Sequence, residues 1–71
     1  MDKQVVQRHL HATERHIVSG ESIIARQMAL IARLKRNGHD TTEAEGWLAE
    51  LERIQDMHVA HRERLMEELN R

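Results

Sequence analysis

The sequence predicts an all-α protein: an antiparallel two-helix hairpin, with helices over about 3–37 and 41–70, that dimerises into a four-helix bundle. Three observations predict it. The 71 residues include no Pro and only three Gly, and they are rich in Ala, Leu, Glu, Arg and Gln, the better helix formers. Apolar residues recur every seven positions on both sides of a single break. That break, Asn37-Gly38-His39-Asp40-Thr41-Thr42, is the only strong punctuation in the chain. A chain of this length makes one small domain, here residues 1–71, because there is too little of it to build two cores.

Helix 1 carries its repeat on Leu10, Ile17, Ile24 and Ile31, with Val6 and Leu34 on the companion positions. Ile23, Met28 and Leu30 widen this stripe. Gly20 interrupts it inside Ser19-Gly20-Glu21-Ser22. One reading is a helix break, with Ser19 or Ser22 capping a new start; because the stripe keeps phase from Ile17 to Ile24, a continuous helix is the preferred expectation, with Gly20 admitting a close neighbour near Val59. Gly38 suits the left-handed residue that ends a helix, and Lys35 and Arg36 meet the negative end of the helix dipole.

Asp40, Thr41 and Thr42 are all good N-caps, and Glu43 and Glu45 stand at capping-box spacing from Asp40 and Thr42. In helix 2, Trp47, Leu48, Leu51, Ile54, Leu65, Met66 and Leu69 are expected to form the matching face. A three- or four-residue loop makes the helices antiparallel. Folding there sets Ile31 opposite Leu48, Met28 opposite Leu51, Ile24 near Ile54, Leu10 near Leu69 and His16 near His61.

Charge supports the pairing. Residues 1–39 hold seven Lys/Arg and three acids, +4; residues 41–71 hold four Arg and eight acids, −4; Asp40 makes the total −1. Opposite signs select the side-by-side arrangement, although each exposed pair adds only tenths of a kcal/mol. One hairpin cannot cover Val5, Ile23 and Leu30 beside the seam, and two helices this size rarely fold without a staple. A twofold homodimer covers the second stripe.

Several functions are excluded or unsupported. No apolar run approaches the roughly 18 residues of a membrane span, and the start does not read as a secretion signal, so the chain is expected to be cytoplasmic. With no Cys there is no thiol chemistry. Ser19, Ser22, Thr41 and Thr42 lack a base and an oxyanion hole, and there is no Gly-rich phosphate loop. Near-neutral charge without Tyr or Phe argues against nucleic acid, with Arg26, Arg33 and Arg36 read as a solvated face. The acidic second helix argues against a membrane surface. No cofactor is implied.

Six histidines are the remaining chemistry: His9, His11, His16, His39, His58 and His61. His58 and His61, at i and i+3, share a face and with His16 make the nearest approach to a metal-ligand set. No metal is expected, since neither the Glu-x-x-His pairs of di-iron bundles nor His-Glu-x-x-His is present. Seam residues, possessing a pH response only at an interface, are the plainer reading of these side chains.

His16-Ile17-Val18-Ser19-Gly20-Glu21-Ser22 resembles the histidine phosphotransfer motif, His-x-apolar-Lys-Gly-x-Ser/Ala. The resemblance makes His16 the phosphoacceptor, Val18 the apolar position, Gly20 the clearance for a response regulator and Ser22 the small residue, with Ser19 replacing Lys. Over nearly its whole length the chain also resembles a group of short, uncharacterised alphaproteobacterial proteins. Glu14-Arg15-His16, Gly20-Glu21, Ile24-Ala25-Arg26-Gln27, Leu30-Ile31, Gly38-His39-Asp40-Thr41, Ala44, Leu48 and His61-Arg62 carry it. That resemblance implies a cytoplasmic helical hairpin and supplies no activity.

The resulting expectation is a non-enzymatic protein–protein interaction module, a small regulatory adaptor, working as a homodimer and on another protein. Ile17, Ile23, Ile24, Leu30, Ile31, Trp47, Leu51 and Leu65 are its expected interface. The alternative is two-component signalling through His16.

Overall fold

The computed structural model describes residues 2–71. It is all-α: α1 spans Lys3–Arg36 and α2 spans Thr42–Leu69, packed against each other as a hairpin. The molecule measures 53 × 14 × 13 Å. Its length is that of α1, whose 34 residues rise about 51 Å at 1.5 Å each.

Each helix end follows from local chemistry. The Asp2 carboxylate accepts the Gln4 N–H at 2.9 Å and caps α1. At the other end Gly38 takes φ +73°. This lets Gly38 N–H donate to Lys35 O at 3.1 Å and His39 N–H donate to Leu34 O at 2.9 Å. The nested pair is a Schellman closure, and a Cβ at residue 38 would strain it. α1 runs unbroken through Gly20, as the phase of its stripe requires.

The start of α2 differs from the capping boxes the spacing suggested. Thr41 is the N-cap residue but makes no side-chain cap bond. Asp40 does that work: its Oδ1 accepts the Thr42 N–H at 2.9 Å and the Thr42 hydroxyl at 2.7 Å. Glu45 reaches across the hairpin to Lys35, 3.3 Å away, and not back to the cap. The two Thr42 donors hold the Asp40 carboxyl below its ordinary value of 3.8. The stability this gives is therefore fully present above the ordinary carboxylate range and is lost as pH falls through the lowered value. Asp40→Ala is expected to lower the melting temperature by a few degrees at neutral pH and by much less in strong acid. Melting curves at several pH values check this; an equal loss at all pH values would place the cap elsewhere.

The seam follows alternating steps of three and four. α1 contributes Val6, Leu10, Thr13, Ile17, Gly20, Ile24, Gln27, Ile31 and Leu34, and α2 contributes Ala44, Leu48, Leu51, Gln55, His58, Arg62, Leu65 and Leu69. Val6, Thr13, Ile17, Ile31 and Leu65 are buried. The seven-residue repeat of α1 therefore holds along its whole length. That of α2 holds too, but on residues a hydrophobicity reading passes over. Trp47 (55% exposed), Ile54 (39%) and Met66 (43%) lie off the seam, correcting their placement on it. The inward positions between Leu51 and Leu65 belong to Gln55, His58 and Arg62. Met28 is also exposed and shares a groove with Ile31 and Leu48, not with Leu51.

Candidate functional site

Two features of the hairpin could carry function: the polar middle of the seam, and one lateral face. In the middle, two glutamine amides tie the helices reciprocally. Gln55 of α2 donates to Ile17 O of α1 at 2.8 Å, and Gln27 of α1 donates to Ala44 O of α2 at 2.9 Å. A helical carbonyl already engaged along its own helix has a second lone pair to accept such a bond. The amides fit only in one register, so they specify the alignment that an all-apolar seam would leave free to slide. Gly20 makes the room, because a Cβ there would collide with the Gln55 amide. The close neighbour of Gly20 is thus Gln55 and not Val59. Lower down, the buried Thr13 hydroxyl donates to His9 O, 2.8 Å away within its own helix, and needs nothing from α2. Gln55 and Gln27 were missed in the sequence; carrying the three–four spacing strictly from Leu48 to Leu69 would have found the first.

The histidines are arranged differently from the expected His16–His61 neighbourhood. His16 stacks on His58, with ring centroids 5.2 Å apart and planes 14° from parallel. His16 is exposed, whereas His58 occupies a seam position and His61 lies beside it. Parallel stacked rings present nitrogens edge by edge, not converging on one point. Among the described residues no group of three or more His, Cys, Asp or Glu could hold a metal ion. His16, His58 and His61 are therefore not brought together as a ligand set. The phosphotransfer resemblance meets a second difference besides Ser19. The gap left by Gly20 is filled by the protein's own Gln55, so it offers no clearance to a docking regulator.

The lateral face is the other feature. One turn off the seam on the same side stand Ile23 and Leu30 of α1 and Trp47 and Ile54 of α2. They share grooves: Ile23 and Ile54 meet in one with His16, Ser19 and His58, and Leu30 and Trp47 in another with Gln27 and Glu43. Ile54 continues into a groove with Met57, His61 and Arg64. Ile23 (40% exposed), Trp47, Ile54 and Met57 (60%) are all exposed, while Leu30 is half-buried. The opposite edge carries Glu14, Glu21, Lys35, Glu45 and Glu52, with Met28, Val59 and Met66 set apart among them. One face thus carries paired apolar residues in two successive grooves toward the turn, and on the other charged residues separate Met28, Val59 and Met66. Of the residues expected at an interface, Ile23, Leu30 and Trp47 lie on this face. Ile17, Ile31 and Leu65 are buried inside the hairpin, and Ile24 and Leu51 are half-buried seam residues.

No helix among the described residues is long and apolar enough to cross a membrane. No family model, curated protein or solved structure matches this chain.

Proposed function

We propose that this chain is a non-enzymatic protein–protein interaction module, a small cytoplasmic regulatory adaptor that docks helices on one lateral face. The observation that carries the reading is the set of Leu30, Trp47, Ile23, Ile54 and Met57 on one lateral face, lining successive grooves, against an opposite edge where charged residues separate the apolar ones. A scattered exposed Leu or Met means nothing by itself, but apolar residues gathered on one face mark an interaction surface. Trp47 is the natural anchor, because a large aromatic ring buries much area at little entropic cost. A twofold homodimer in the form of a four-helix bundle and a helix of another protein are both occupants of the kind this face accepts. A photo-crosslinker at Ile54 is expected to yield covalent protein adducts in cells, and the same group at Glu52 is expected to yield none. Equal labelling at the two positions, or none at Ile54, would refute the docking face.

Phosphotransfer at His16 is the competing reading. The exposure of His16 at mid-helix supports it; the filled space at Gly20 opposes it. A phosphorylated response regulator, as donor, would leave an acid-labile label that His16→Gln abolishes. Absence of label retires the idea.

A further inference from the structure

We infer that the occupant of the lateral face is a second copy of this chain, related by a twofold axis along the hairpin, with both turns at the same end. The inference rests on the docking reading above and commits it to one partner and one orientation.

Surface area is the first argument. A folded monomer of 8.4 kDa exposes about 4,600 Å² by the size scaling of compact proteins. This hairpin exposes 5469 Å². The excess, roughly 850 Å², is close to the ~800 Å² that each partner contributes to a standard interface.

Apolar distribution is the second. Leu30, Trp47, Ile23 and Ile54 lie in the half of the face nearer the turn and Met57 just past its middle, while the other half holds His9, His16, His61 and Arg64. An axis along the hairpin leaves every residue at its own height, so apolar half meets apolar half. The alternative, with turns at opposite ends, sets Trp47 and Leu30 against the histidine-rich half.

The rim charges give the third. Such an axis sets α1 of one copy against α2 of the other. Beyond the apolar residues, on the outer edge of this face, α1 presents Arg26 and Arg33, each a multiple of seven from Ser19. α2 presents Glu43 and Glu50, likewise spaced from Met57. Counting from the Gly20–Gln55 contact, Arg26 stands within one residue of the height of Glu50, and Arg33 of Glu43. Each arginine of one copy therefore meets an acid of the other, four pairs in all by symmetry. Arg26, Arg33 and Glu43 make no ion pair within the chain among the described residues. Glu50 holds Arg53 on its own helix, and its remaining lone pairs can accept a second guanidinium.

A charge exchange tests this. Arg26→Glu/Arg33→Glu in one variant and Glu43→Arg/Glu50→Arg in another each set like charges together in all four pairs. Each alone is expected to dimerise at least about tenfold more weakly than the parent in sedimentation equilibrium, with helicity intact by circular dichroism. Mixed one to one, they are expected to recover parent-like affinity as a heterodimer. With His39→Cys carrying a spin label, the two labels of a dimer are expected to lie close together, whereas opposed turns would separate them by about the 53 Å length of the hairpin. A parent chain that sediments as a monomer at every concentration overturns the proposal, as does a dimer without rescue and with distant labels. Adducts of Ile54 with a different protein in that event leave the docking face standing and remove only the second copy.

Discussion

Ile17→Asp is expected to leave the chain unfolded at room temperature, with its helical circular dichroism lost, while Val18→Asp one residue on leaves the fold unchanged. Ile17 is 5% exposed at the centre of the seam, between the Leu10 and Ile24 positions of α1, whereas Val18 is 66% exposed. Removing a buried Ile costs roughly 2–5 kcal/mol, and a carboxylate in its place has no partner to offset its desolvation. The whole stability of a 71-residue chain is about 4–10 kcal/mol, so the variant consumes most or all of it. Val18→Asp should stay within about 0.5 kcal/mol of the parent. Urea titrations of both, with Ile17→Val as a mild control at about 1 kcal/mol, decide the matter. Comparable damage from the two aspartates would mean that α1 buries a different stripe.

The second large effect is expected at Gly20. In an open helix, replacing Gly gains about 0.5–1 kcal/mol of propensity. Here any side chain must enter the space of the Gln55 amide, which donates to Ile17 O at 2.8 Å. The flexible Gln55 side chain can swing aside but then loses that bond, so Gly20→Leu is expected to destabilise by about 1–2 kcal/mol. Gln55→Ala empties the same space. In that background Gly20→Leu should cost little or stabilise, giving a coupling energy of about 1 kcal/mol or more in a double-mutant cycle. Independent effects of the two substitutions would show that the glycine and the glutamine do not share one volume.

These two sites mark the limit of what could be read from the residues. α1 was legible because its seam is spelled in Leu and Ile at strict sevens, and the turn because Gly38 and Asp40 act within four residues of themselves. Local hydrogen bonds need no partner from far along the chain. α2 was read one stripe wide of the truth. Trp47, Ile54 and Met66 are the greasier residues, yet Gln55, His58 and Arg62 sit inward. Hydrophobicity ranks side chains one at a time, whereas the seam selects the set that can fit a neighbour. Gln55 fits because Gly20 yields the volume and Ile17 offers a carbonyl.

The stacking of His16 on His58 has the same origin. It depends on the axial offset between helices. That offset is fixed by the two cross-helix glutamine bonds, whose partners lie 17 and 38 residues apart in sequence.

The sequence by itself determined the class of the fold, the position of the turn and the opposite charges of the two helices. Each is a property of neighbours along the chain or of a period within one helix. Only the tertiary structure decided that α1 runs on through Gly20, which stripe of α2 turns inward, which histidines meet and which apolar residues are left facing water. These depend on how two helices mesh, and meshing is set by shape and by single hydrogen bonds that composition and period do not encode.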